Sequence, residues 1–194
     1  MKIAVPLLLS ILVLSSVTVS AQDYSHEISF YAGAGSMPSI LEHFQDIGLF
    51  LLFPPLTKVI RTETETVTPA LVLRYRNHLG TLVSLCGEFS YQQFEKRYIL
   101  LDKEASASDI KYYTFMGRVD FTYVRSRLLQ MYSGLGLGFS HATESGKDTG
   151  SASETYFALQ INAVGLRVGE KVAGFMELGF GFNGIICGGI TVRF

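Results

Sequence analysis

The position of charge inside the alternating segments constrains this chain more than any other feature. From residue 67 onward the sequence repeatedly sets an apolar residue at every second position. That is the period of a strand, whose successive side chains point to opposite faces. In Asp109–Val124, Tyr113, Phe115, Val119, Phe121 and Tyr123 share one face, and Tyr112, Thr114, Met116, Arg118, Asp120 and Thr122 share the other. The strand charges Arg74, Arg76, Glu88, Arg118, Asp120, Glu177 and Arg193 fall on the second kind of face, and the apolar faces of the core strands carry none. A water-soluble barrel lines its interior with apolar residues and keeps charge outside. The reversed order fits a barrel whose outside meets lipid and whose inside holds polar groups.

Eight such segments can be read. They are His26–Gly35, Val67–Arg76, Gly80–Phe94, Asp109–Val124, Leu129–Ser140, Glu154–Val164, Phe175–Phe182 and Ile186–Phe194. Asn77-His78, Arg125-Ser126-Arg127 and Gly165–Lys171 read as tight turns, and Asn183-Gly184 as a two-residue hairpin. Ser36–Thr66, Glu95–Ser108 and His141–Ser153 read as longer polar loops, with Thr62–Thr66 as solvated extended chain. Within the first loop, Ser36–Phe44 has the marks of a short helix, with Ser36 or Ser39 as N-cap and Pro38 in the first turn. Lipid demands closure, because an open sheet edge there leaves backbone groups unpaired. The fold class expected is all-β: an eight-stranded antiparallel up-and-down transmembrane barrel, with one short helix in the first loop.

The start of the chain adds an address. Lys2 precedes an almost wholly apolar stretch, Ile3–Leu14, and then Val19-Ser20-Ala21. This is the pattern of a cleavable signal peptide over residues 1–21, which leaves 22–194 as one barrel domain. Ile47–Leu56 is the longest later apolar run, contains Pro54-Pro55, and is too short to cross a bilayer as a helix.

Charge and chemistry narrow the function. Sixteen basic against seventeen acidic residues argue against nucleic acid as a partner, since phosphate binding needs a basic excess. Cys86 and Cys187 are the only cysteines. Both fall on inward faces, three strands apart, a chord on the order of 15 Å across a barrel of about 16 Å. A disulfide spans at most about 7 Å between Cα atoms, so two separate small fillers are expected. No metal-spaced cluster or phosphate-binding loop is present, and no cofactor is expected. Gly146-Lys147 lacks the strand–loop–helix context of such a loop. Ser140, His141 and Glu144 gather at one strand end and His43 lies in the first loop, but adjacent Ser140 and His141 would point to opposite faces. No catalytic residue is therefore assigned. A lipid-modifying enzyme and a narrow pore are the alternatives. Arg74, Glu88, Arg118, Asp120, Glu177 and Arg193 are expected to form a lumen ion network, in which the three arginines neutralise the three acids. The inward glycines Gly134, Gly136 and Gly138 leave room for a bulky neighbour such as Tyr132, or let the strand bend.

The closing hairpin, Phe175–Gly184 followed by Gly188–Phe194, resembles that of small bacterial outer-membrane barrels of the OmpA/OmpX-like type, and more narrowly of barrel proteins common in Bacteroidetes. That resemblance implies a place in the outer membrane, contact with its lipid, and Phe194 as a terminal signal read by the barrel assembly machinery. It implies no single activity, since such barrels serve structural and surface-binding roles alike. Loops on a rigid scaffold are where binding usually resides. Segment 36–66 is the longest and holds the apolar Ile47–Phe53, so it is the expected contact for an extracellular ligand.

Overall fold

The computed structural model describes residues 25–41, 60–100, 103–146 and 150–194. Eight strands follow one another: β1 (His26–Ala34), β2 (Ile60–His78), β3 (Val83–Leu100), β4 (Lys103–Arg125), β5 (Leu129–Gly146), β6 (Gly150–Gly169), β7 (Val172–Gly181) and β8 (Ile186–Arg193). Each pairs antiparallel with the next, and β8 returns to β1 to close the barrel. The expected fold class holds. Burial alternates residue by residue, as in β7, and in the inverted sense. Phe115, Phe139 and Phe157 are more than 60% exposed on the outside, while Arg74, Arg76, Arg118 and Arg167 are fully buried within. The seven charges read as inward all lie inside.

The barrel is uneven in height. β1, β7 and β8 are 8–10 residues long, whereas β2 to β6 run 18–23. β7 pairs with β6 only from Gln160 to Gly169, and β1 pairs with β2 only from Ala70 to Asn77. Above those levels β2 to β6 continue as a raised five-stranded sheet, whose edges along residues 60–68 of β2 and 150–158 of β6 have no strand partner among the described residues.

Several expected boundaries are corrected by this sheet. Thr62–Thr66 is paired strand, not free extended chain, and lies opposite Phe94–Tyr98 of β3. Glu95–Ser108 is not a loop, because β3 and β4 stay paired, across one register shift at Tyr98/Ile99, to Leu100 and Lys103. His141–Ser153 likewise belongs to β5 and β6, which pair up to Gly146 and Gly150. Where both faces of a sheet meet water, the alternation of apolar and polar residues that marks a strand disappears. At the lower end, β2 runs through Asn77-His78 and turns at residues 79–82, and β6 runs through Gly165 to Gly169 before turning at 170–171. The turn after β4 is at residues 126–128, so Arg125 ends the strand. Phe182 closes the alternating segment Phe175–Phe182 in step with the exposed Met176, Leu178 and Phe180, yet it is buried, because Gly181 at φ 145° ends the strand just before it.

The helix read in the first loop is present over residues 37–41. Ser36 caps it: the Ser39 amide donates to Ser36 Oγ (3.3 Å) and the Ile40 amide to the Ser36 carbonyl (2.9 Å). Ser36 Oγ also donates to Gln92 (2.6 Å), which fixes the helix to the barrel wall. Met37 then packs on Met116, Ala158 and Phe182. This apolar cluster lies inside the barrel above the buried charges.

Glycines shape the wall, in part differently from the expectation. Gly134 and Gly138 make room for Asp120 and for the Met116 segment of β4, not for Tyr132. The Tyr132 ring lies over Gly165, where an added Cβ would stand 2.5 Å from Cζ.

Candidate functional site

The lumen is filled by charge held in two connected layers. In the upper layer Arg74 donates through Nε to Glu88 (2.6 Å) and through both terminal nitrogens to Glu177 (2.7 and 2.9 Å). Arg118 reaches the same carboxylates, Glu88 at 3.0 Å and Glu177 at 3.0 and 3.1 Å. Tyr132 (2.6 Å) and Asn162 (2.6 Å) complete the shell of Glu177. Asn183, carried into the lumen by the β7–β8 turn, donates to Glu88 (2.7 Å) and to the Tyr31 hydroxyl (3.1 Å). The Arg74 guanidinium lies 4.4 Å from the centre of the Tyr31 ring.

The lower layer is organised by Glu27, a residue the sequence reading passed over. It accepts from Arg76 (2.9 Å) and Arg193 (2.7 Å), and Arg167 Nε stands 3.3 Å away. Asp120 joins the layers, meeting Arg76 at 2.7 Å and Arg118 at 2.8 Å. The six residues named for the network are therefore all buried and ion-paired, with one correction. Arg193 does not serve Glu88, Asp120 or Glu177; it serves Glu27 and Gln130. Glu27 could have been found, since it shares a face with Ser29 and Tyr31. Arg167 could not be found by parity alone, because a register shift between Asn162 and Val164 moves the later odd residues inward.

Burying ions is costly unless each is paired and hydrogen-bonded. Here five arginines meet four carboxylates, and each carboxylate meets at least two guanidiniums or their equivalents. The two cysteines are buried free thiols, with Cys86 Sγ 3.3 Å from Asp120 Oδ2.

Ser140 and His141 point apart. Ser140 is buried and shares a hydrogen bond with Thr114 (2.8 Å), while His141 is exposed outside and bonds Thr155 (3.1 Å). Glu144 is held by the Ser108 hydroxyl (2.7 Å) and touches neither. Among the described residues no group of three His, Cys, Asp or Glu side chains is placed to hold a metal ion. His43, Ile47–Phe53 and residues 1–21 lie outside the described residues.

The outer surface is an apolar belt that ends in polar-tipped aromatics. Tyr91 and Tyr113 lie side by side, their rings tilted by 48° at 5.4 Å, toward the raised sheet. His26 lies between Tyr75 (5.8 Å) and Phe194 (5.9 Å) at the lower end. A recess of ≈ 410 Å³ opens above the lumen on the inner face of the raised sheet. Its lining includes Lys96, Tyr112, Glu144, Glu154 and Tyr156.

No family model and no curated relative matches the chain. Its fold is similar to solved structures of Ail, the attachment invasion locus protein of Yersinia pestis. One is its complex with the heparin analogue sucrose octasulfate, at 15% identity, 87% of this chain and 96% of that chain covered, TM-score 0.43. Another is its backbone structure in a phospholipid bilayer nanodisc, at 15% identity, 89% and 100% covered, TM-score 0.45.

Proposed function

We propose that this chain is an integral outer-membrane protein, exported by a cleavable signal over residues 1–21 and inserted over 22–194 as a plugged, non-enzymatic barrel that binds at the cell surface. The carrying observation is the division of its outer wall into two zones. Around the closed ring the outside is apolar and suits lipid. Above it the same strands continue with open, polar edges, which hydrocarbon would not tolerate and which water satisfies. The raised sheet then stands outside the membrane as the contact surface, together with segment 36–66, the proposed contact for an extracellular ligand. The OmpA/OmpX-like character of the closing hairpin is consistent with this, with Phe194 as the mark read by the barrel assembly machinery.

In this reading the lumen network is structural. It fixes the barrel's cross-section and leaves no open path, so the protein holds a rigid surface platform and does not conduct. The test is fractionation of cells expressing the full chain, followed by protease treatment of intact cells. Recovery with outer membranes, release only by detergent and cleavage within 95–108 or 141–153 are expected. Recovery as a soluble protein without detergent would overturn the reading.

A further inference from the structure

We propose that the recess on the inner face of the raised sheet binds an organic cation: an ammonium or guanidinium head on a short aliphatic stem. This deepens the surface-binding reading and rests on the raised sheet being the contact face.

The register carries the argument. On β5 and β6, Glu144 lies opposite Ala152 and Glu154 opposite Ala142, so the two carboxylates are diagonal neighbours on one face. Diagonal pairs stand about 7–8 Å apart, within mutual reach. Like charges so placed repel unless a positive group lies between them. The Ser108 hydroxyl donates to Glu144 (2.7 Å) and the Tyr156 hydroxyl to Glu154. Both donors are neutral, and a carboxylate has about four acceptor positions, so each keeps capacity for a charged donor. Among the described residues of the lining Lys96 is the cation, and it comes from β3. It is opposite Ser108, with β4 between it and Glu144 and both β4 and β5 between it and Glu154. Among the described residues, the lining thus carries two negative side chains to one positive.

The rest of the lining suits the stem. Ile110 and Ala142 lie beside the carboxylates and offer an apolar floor, while Tyr112 and Tyr156 present aromatic rings at its lower side. A cation over such a ring gains further attraction. Beneath the recess, the Met37–Met116–Phe182 cluster closes the lumen, and the five arginines below it outnumber the four carboxylates. A bound cation is therefore held at the mouth and is not drawn inward.

The experiment uses the full-length protein folded in detergent micelles, titrated calorimetrically with spermidine and, separately, with N-acetyl-arginine amide. Saturable one-to-one binding that weakens as salt is raised is expected. It should be lost in Glu144→Gln/Glu154→Gln and kept in Glu65→Gln, which removes an exposed carboxylate elsewhere on the raised sheet. Tighter binding of spermidine supports a free polyamine as the natural ligand. Tighter binding of the arginine amide supports a basic side chain of another polypeptide. Absence of saturable binding to both probes, or equal binding by wild type and the double variant, overturns the proposal. A folded-state gel shift on every variant separates loss of the site from loss of the barrel. Because the titration does not depend on cellular location, a failed fractionation result would sink the membrane reading and leave this one standing.

Discussion

Glu177 of β7 takes both terminal nitrogens of Arg74, 103 positions earlier in the chain, at 2.7 and 2.9 Å. The same carboxylate also receives Arg118, Tyr132 and Asn162, so it ties together strands β2, β4, β5 and β6 from β7. Its removal leaves Arg74 with Glu88 alone and Arg118 with Glu88 and Asp120, both guanidiniums still buried. Glu177→Ala should therefore destabilise the folded barrel by about 3–5 kcal/mol, the usual cost of breaking a buried pair by losing one partner. Urea unfolding in micelles, followed by the gel shift between folded and unfolded forms, measures it. A loss under about 1 kcal/mol would mean that water reaches the lumen freely.

Tyr132 and Gly165 form a matched pair across β5 and β6, with the ring filling the space a side chain would take. Gly165→Val should cost about 1–3 kcal/mol by overpacking. The penalty should shrink when Tyr132 is also replaced by alanine, because the added methyls then enter the vacated space. A double-mutant cycle tests this directly. Strictly additive effects would show that the ring does not depend on that glycine.

In the plugged reading the lumen is closed twice, by the Met37–Met116–Phe182 cluster above and by the ion layers below. Planar-bilayer recordings of the wild type should show no stable large conductance. Met37→Ala/Phe182→Ala should stay silent too, since the arginine–carboxylate layers remain. Steady openings in the wild type would refute the plugged reading and favour a pore.

Much of this architecture was legible because an apolar exterior and a polar lumen impose a sharp contrast on a strand. Wherever both are present, alternation survives, as in Asp109–Val124, and the inward set Arg74, Glu88, Arg118, Asp120, Glu177 could be read residue by residue. The contrast vanishes in the raised sheet. Thr62–Thr66 and His141–Ser153 carry polar residues on both faces and so looked like loops. Bulges hid the remainder: a one-residue shift near Ala163 reverses the facing of Arg167, and no composition rule announces it. The recess escaped notice for a related reason. Glu144 and Glu154 are brought together only by the β5–β6 register, which requires the hairpin that the polar pattern concealed.

Phe194 is tied to the first strand in two distinct ways, and they can be separated. Its amide donates to the His26 carbonyl (3.0 Å), the His26 amide donates back (3.3 Å), and its ring stacks on the imidazole at 5.9 Å. Deleting the residue removes both; Phe194→Ala removes only the ring. The ring is half exposed, and an aromatic contact of this kind contributes about 0.5–1.5 kcal/mol. The purified Phe194→Ala protein should therefore refold in micelles and unfold close to the wild type. If the terminal aromatic is read while the barrel is being inserted, the same variant should nonetheless accumulate poorly in membranes of living cells, nearly as poorly as the deletion. The comparison of membrane level with in-vitro stability isolates recognition from packing. Equal membrane levels for wild type and Phe194→Ala would leave Phe194 with a seam-closing role alone, carried by its backbone.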